Sequence, residues 1–107
     1  RRYGSFLLPM DETLVMTALD LSGRSYLVMD VEIPTEKVGD FDTELVKEFM
    51  IALSSNSRMT LHFKMFHGEN SHHIIEAMCT GLGRALGEAV SIDERYRDEI
   101  PSTKGVL

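Results

Sequence analysis

The segment from Asn70 to Ile92 constrains the fold more than any other part of this 107-residue chain. It opens on a residue that can cap a helix, Asn70 or Ser71, and continues with apolar residues at the three- and four-residue spacing of an amphipathic helix. We therefore predict a long helix that packs on a neighbouring layer. Its buried stripe is expected to comprise Ile75, Met78, Cys79, Leu82, Leu86 and Val90.

Two segments nearer the amino terminus predict strands. Residues 12–20 are rich in strand-forming side chains, and residues 25–33 alternate between apolar and polar side chains. Because Ser22-Gly23 supplies a turn between them, we predict that the two segments form an antiparallel hairpin, which ends at Pro34.

A shorter amphipathic helix is predicted next, capped by Asp42 or Thr43 and reaching about Leu53. The polar run Ser54–Ser57 is expected to end it, and alternation from Met59 to Met65 predicts a half-buried strand. The predicted fold class is therefore α+β, with the order β-β-α-β-α and both helices on one face of a small mixed sheet. The inward side chains of the shorter helix are expected to be Leu45, Val46, Phe49, Met50 and Leu53.

Composition narrows the class of protein. The net charge of −6 argues against non-specific binding to nucleic acid, which requires a basic surface. The one cysteine, Cys79, permits no internal disulfide and fits a reducing compartment, and we expect it to be a small buried side chain rather than a nucleophile. The apolar runs are too short to span a membrane. These features predict a soluble, cytoplasmic protein.

The sequence His72-His73-Ile74-Ile75-Glu76 is the strongest candidate for a chemical site. On a helix, His72 and Glu76 share one face, and so do His73 and Glu76, while the two histidines diverge. Imidazole and carboxylate together suit divalent ions such as manganese or zinc, so the pattern favours two neighbouring metal ions, or one metal and a substrate. A solvated helix start with chance histidines is the alternative. His67 is expected to line such a site or to be an outer neighbour of it, without being essential, and His62 is expected to be a surface or cross-strand residue.

Five motifs in order resemble the imidazoleglycerol-phosphate dehydratase family, whose members act in histidine biosynthesis. The resemblance runs from about Arg2 to Leu107. It rests on Pro9-Met10-Asp11-Glu12, Asp20-Leu21-Ser22-Gly23-Arg24, the run from Ile33 to Asp40, the run from His67 to Ala77, and the tail from Ile100 to Leu107. The family polypeptide is about twice as long and has two similar halves. Residues 1–107 are accordingly expected to form one half-domain that corresponds to the second half, with the first half absent from this chain.

The resemblance implies a fold and an activity. The fold expected is the α+β type of the second domain of ribosomal protein S5. The activity expected is the manganese-dependent dehydration of imidazole glycerol phosphate to imidazole acetol phosphate, with two manganese ions in each complete site. Family members form trimers that join into 24-subunit shells, so the implied partners are the small phosphorylated substrate, the missing half and further copies.

The resemblance also implies roles for individual residues. His72, His73 and Glu76 match metal ligands of the family motif, and Glu48 stands where a further ligand, usually histidine, is found. Glu76 and Asp11 are the catalytic candidates. Thr80 replaces a lysine that the family usually has, which should weaken substrate contacts. The expected substrate-binding residues are Arg2, Arg24, His72, His73, Ser102, Thr103 and Lys104.

Two other readings stay open. The chain can be a catalytically silent half-domain that binds metal or assembles without its partner half, and we expect the isolated half to be nearly inactive. A metal-storage or metal-sensing module is disfavoured because it would leave the arginine and lysine motifs without a purpose.

Overall fold

The computed structural model of the chain describes residues 2–91. Four strands form a mixed sheet in the order β1-β2-β6-β3, in which β3 and β6 are parallel and the other neighbours antiparallel. This arrangement confirms the predicted α+β class with a small mixed sheet and two helices. The elements are β1 (Tyr3–Met10), β2 (Thr13–Asp20), β3 (Tyr26–Asp30), β4 (Lys37–Val38), β5 (Phe41–Asp42), α1 (Glu44–Ser57), β6 (Thr60–His67) and α2 (Ser71–Val90).

The predicted hairpin between residues 12–20 and 25–33 is wrong. Strand β2 pairs instead with β1 on one side and β6 on the other, and β3 lies at the far edge of the sheet. No strand was predicted at β1, which contains Gly4 and Pro9, two residues that are uncommon in strands. Both residues are tolerated there since β1 is an edge strand. Gly4 is also required, because a Cβ at this position would lie 1.8 Å from the carbonyl oxygen of Ala85 on α2.

The close approach of α2 to the sheet explains why its buried stripe differs from the predicted one. Cys79 and Val90 are exposed, contrary to prediction, and Ile75 and Leu86 are only half-buried. Small side chains at the contact let the helix backbone come near β1 and β2, whereas the prediction followed the large apolar residues. The residues of α2 that are buried are Ser71, Ile74, Ala77, Met78, Gly81, Leu82, Ala85 and Ala89.

Helix α1 runs through the polar segment that was expected to end it. The helix ends at Ser57, and Arg58 adopts the left-handed conformation (φ 54°) of a helix C-cap. Of its predicted inward side chains, Val46 and Met50 are buried, but Leu45 and Phe49 are exposed. Within residues 2–91 no element covers that side of α1. Neither helix of this described part is long and apolar enough to cross a membrane.

Candidate functional site

The first turn of α2 presents the two histidines of the motif to solvent. The Asn70 side chain caps the helix, as predicted, and accepts a hydrogen bond of 3.0 Å from the backbone N–H of His73. His72 Nε2 lies 3.3 Å from Glu76 Oε1, one helical turn further along. Both side chains are more than half exposed (67% and 51%), so this imidazole and this carboxylate are open to a ligand.

His73 points away from His72 and toward the hairpin between β1 and β2. Its Nδ1 lies 2.8 Å from Glu12 Oε1, while the two histidine rings are 6.3 Å apart and inclined at 58°. The hydrogen bond to Glu12 is the main cause of a raised pKa for His73, and the negative charges of Glu12, Asp11 and Glu76 add to it against partial desolvation. The divergence expected of the two imidazoles is therefore present.

Glu12 ties the hairpin to the start of α2. Its Oε2 accepts hydrogen bonds from the Thr13 hydroxyl and from the backbone N–H groups of Glu69 and Asn70, the latter two at 3.0 Å. These donors, with Thr13 first, and the bond to His73 hold the pKa of the Glu12 carboxyl well below its usual range. Glu12 is thus an acceptor for three donors at Oε2 and lies beside the His73 imidazole at Oε1, and no role was predicted for it from the sequence.

Asp11 and His67 flank this contact. Asp11 occupies the hairpin turn with a positive φ of 52°, and its side chain is 79% exposed. Asp11 Oδ2 lies 3.9 Å from His73 Nε2, which is beyond hydrogen-bond distance. His67, the last residue of β6, places Nδ1 2.6 Å from the backbone oxygen of Glu12. His67 thus contacts the backbone of Glu12, and Asp11 is both a turn residue and a neighbour of His73.

Two of the candidate substrate cations, Arg2 and Arg24, lie at the opposite end of the sheet. Arg2 precedes β1 and pairs with Asp20 at the end of β2, and Arg24 is exposed in the loop that leads to β3. An eight-residue strand such as β2 separates its ends by about 23 Å. One copy of the chain therefore does not bring Arg2 or Arg24 to its own His72 and His73.

Some of the remaining predicted site residues are exposed on the helices, and the others lie outside the described residues. Glu48 is exposed on α1, and Thr80 is exposed on α2. Among residues 2–91, no group of three or more histidine, cysteine, aspartate or glutamate side chains converges in a way that would hold a metal ion. A complete metal site would need further ligands. Ser102, Thr103 and Lys104 lie outside the described residues.

The fold and this site define a small α+β domain that presents divergent imidazoles and a carboxylate at the start of a sheet-packed helix. Residues 1–86 match the family model of imidazoleglycerol-phosphate dehydratase. The chain belongs to this family.

Comparisons with individual proteins agree with the family match. The chain is 58% identical over 106 residues to an imidazoleglycerol-phosphate dehydratase from Roseobacter denitrificans, covering 99% of the chain and 54% of that protein. It is 53% identical over 106 residues to one from Synechococcus, covering 99% of the chain and 52% of that protein. The chain thus spans about half the length of the curated relatives it matches.

Solved structures show the same relation. The crystal structure of imidazoleglycerol-phosphate dehydratase from Staphylococcus aureus superposes with a TM-score of 0.84 at 48% identity, covering 86% of this chain and 54% of that one. The enzyme from Pyrococcus furiosus gives a TM-score of 0.80 at 43% identity, covering 99% of this chain and 57% of that one.

Proposed function

We propose that this chain supplies one half of a manganese-dependent dehydratase that converts imidazole glycerol phosphate to imidazole acetol phosphate in histidine biosynthesis. One observation carries the proposal: the chain belongs to the dehydratase family, and its His72-His73-Ile74-Ile75-Glu76 motif lies in an exposed helix start with the imidazoles pointing apart. The reducing compartment indicated by cysteine usage fits a cytoplasmic enzyme.

The donor set fits a divalent metal ion. Two neighbouring ligands at bond lengths near 2.1 Å are about 3 Å apart when they share one ion, and His72 Nε2 and Glu76 Oε1 are 3.3 Å apart. His73 would serve a second ion, with Glu48 as a further candidate ligand. A divalent ion, when bound, supplies Lewis acidity and a template that orients the substrate. Two ions in each complete site agree with the divergence of the two imidazoles.

The chain's own residues have distinct roles in this proposal. Dehydration removes a hydroxyl group and a proton from adjacent carbons and leaves an enol that ketonises, so a general base such as a carboxylate has to accept a proton. Asp11 and Glu76 are the carboxylates that we propose for this step; they lie 3.9 Å from His73 Nε2 and 3.3 Å from His72 Nε2, respectively. Arg2 and Arg24 are proposed to bind the phosphate, together with Ser102, Thr103 and Lys104.

The proposed partners follow from what one copy lacks. The metal ligands in residues 2–91 do not converge within one chain, and Arg2 and Arg24 lie at the far end of the sheet. We propose that the site is completed by other copies and by the complementary segment, meaning the part of the relatives' length that this chain does not match. Leu45, Phe49 and Ile51 are about half exposed on α1, which suits burial in such an assembly.

Light scattering tests the proposed assembly. A larger particle is expected with manganese than with a chelator, because ligands drawn from different copies join those copies only when the ion is bound. Identical particle masses under both conditions, with manganese content verified, would count against assembly through the metal.

A catalytically silent half-domain that assembles without doing chemistry is the second candidate. The lack of a convergent ligand set among residues 2–91 favours it for the isolated chain. An assay of substrate dehydration separates the two. The chain alone should be nearly inactive, and addition of the complementary segment with manganese should restore turnover. If the reconstituted protein binds manganese but does not dehydrate the substrate, the chain is a catalytically silent half-domain.

A further inference from the structure

The two carboxylate oxygens of Glu12 have different neighbours. Oε2 accepts hydrogen bonds from the backbone N–H groups of Glu69 and Asn70. A backbone N–H can only donate, so an acceptor atom has to occupy the position of Oε2. Within residues 2–91, the hydrogen-bond partner of Oε1 is the imidazole of His73, whose Nδ1 lies 2.8 Å away. The carboxylate is therefore held in one orientation by the start of α2, and its remaining oxygen meets His73 as an acceptor.

We propose that Glu12 is a positioning residue that fixes His73 as the Nδ1–H tautomer, so that the lone pair of Nε2 faces outward as the ligand of a divalent metal ion. A neutral imidazole carries one N–H and one lone pair, and an acceptor at Nδ1 requires the N–H to be there. Nε2 makes no hydrogen bond within residues 2–91, since Asp11 Oδ2 is 3.9 Å away. The metal part of this inference rests on the proposed function, whereas the tautomer rests on the hydrogen bonds of Glu12.

An isosteric substitution of Glu12 tests whether this residue sets the tautomer of His73. In Glu12→Gln, the amide oxygen must keep the position of Oε2, because the backbone N–H groups of Glu69 and Asn70 donate there. The amide NH2 group then occupies the position of Oε1 and donates to His73 Nδ1. That donation requires Nδ1 to carry the lone pair, so the proton moves to Nε2 and blocks metal binding. Size and shape are unchanged, but the tautomer is reversed.

The experiment reads the tautomer directly in the metal-free protein. Histidines are labelled with nitrogen-15, and the ring nitrogen shifts are recorded at a pH at which the imidazoles are neutral, with His73 assigned from its loss in His73→Gln. His73 is expected to be the Nδ1–H tautomer in the natural sequence and the Nε2–H tautomer in Glu12→Gln. His67 is an internal control, because its Nδ1 faces the Glu12 backbone oxygen, which can only accept; its tautomer should be Nδ1–H in both proteins.

Manganese affinity is the second readout, measured in the protein reconstituted with the complementary segment, from the electron paramagnetic resonance of the free ion. Loss of a partner that orients a metal-binding histidine costs roughly 10- to 100-fold in metal affinity, and we expect a loss in this range at one of the two sites in Glu12→Gln. The matched control is Glu69→Gln, which removes a neighbouring exposed charge but keeps the Glu12–His73 hydrogen bond.

The outcomes separate this inference from the proposed function. An Nε2–H tautomer in the natural sequence, or the same tautomer in Glu12→Gln, overturns the role of Glu12. A reversed tautomer with unchanged manganese affinity overturns the link to metal binding. If the natural sequence reconstituted with the complementary segment binds no manganese, the proposed function fails, and the nitrogen shifts still decide what Glu12 does. If Glu12→Gln fails to fold, the natural tautomer alone remains decisive.

Discussion

Arg2 and Asp20 form a two-point ion pair that joins the residue before β1 to the end of β2. Arg2 Nε lies 2.8 Å from Oδ1 and Nη2 lies 3.1 Å from Oδ2. The hydrogen bond from Arg2 is the main cause of a lowered pKa for Asp20. Because Asp20 holds the plane of the guanidinium, the Nη1 group is presented in a fixed direction, which suits the planar recognition of a phosphate.

The first prediction concerns this fixed guanidinium. Arg2→Lys keeps the charge but loses the two-point contact, so we expect the KM for the phosphorylated substrate to rise roughly tenfold, with a smaller change in kcat. Steady-state kinetics of the protein reconstituted with the complementary segment measures both constants. Lys64→Ala is the control, because it removes an exposed cation that pairs with Asp30 and has no proposed substrate contact. An unchanged KM in Arg2→Lys would remove Arg2 from the substrate site.

The second prediction contrasts two glycines of α2. A Cβ at Gly81 would lie 2.7 Å from the hydroxyl oxygen of Thr17, a buried side chain on β2, whereas a Cβ at Gly83 would meet nothing within 4 Å. Gly83→Ala should therefore stabilise the isolated chain by about 1 kcal/mol through helix propensity. Gly81→Ala should destabilise it, because the β-branched Thr17 cannot readily move in a packed core. Urea denaturation gives both free energies of unfolding, and equal effects would contradict the packing described for α2.

The close packing of α2 at Gly81 shows why the starts of the helices were predicted from the sequence but the buried side of α2 was not. Local signals located the helix starts correctly: Asn70 caps α2, and the predicted boundary at Asp42 and Thr43 is where α1 begins. The helix interiors were less predictable. Which side of α2 is buried depends on how near β1 and β2 come, and that distance is set by small residues from several segments rather than by the periodicity of large ones.

The candidate site shows the same division between local and long-range information. The spacing of His72 and Glu76 predicts their proximity, because four residues are one helical turn. Glu12 is 61 residues from His73 in sequence, and no local pattern connects them. The motif Pro9-Met10-Asp11-Glu12 was a signal for this region, yet only Asp11 was assigned a role. The contact of Glu12 with His73 depends on the pairing of β1 with β2. Because residues 12–20 were predicted to pair with residues 25–33 instead, this contact was not expected.

The third prediction is a pH dependence of the stability of the metal-free chain. The pKa of His73 is raised, so its pairing with Glu12 stabilises the fold fully below the ordinary value of 6.5 and is lost as the pH rises through the raised value. The pKa of Glu12 is lowered, so its contribution is present above the ordinary value of 4.5 and is lost on acidification below it. The free energy of unfolding should thus decline as the pH is raised above the ordinary histidine value of 6.5 and through the raised pKa of His73.

Two variants identify the source of that decline. His73→Gln should flatten the pH dependence in this range because it removes the titrating imidazole, and His62→Gln, on the sheet, should preserve it. The carboxylates that raise the pKa of His73 are Glu12, Asp11 and Glu76, and the second imidazole nearby is His72, whose ring lies 6.3 Å away. A decline of equal size in both variants would place the titrating group elsewhere.

The last prediction concerns the metal ligands themselves. His72→Ala should abolish stoichiometric manganese at the site that His72 shares with Glu76, His73→Ala should do so at the second site, and His62→Ala should leave both sites filled. His72 and Glu76 lie 3.3 Å apart at the start of α2, whereas His62 lies on β6 between Ala18 and Val28 of the neighbouring strands.

Acid should release the metal as the imidazoles protonate, since only a neutral ring binds it. Because the pKa of His73 is raised, protons should compete with the metal at the His73 site up to a higher pH. Metal analysis of the variants, in the presence of the complementary segment, measures the content of each. Full manganese occupancy in both His72→Ala and His73→Ala would show that this pair is not the ligand set, and the proposed metal site would fall with it.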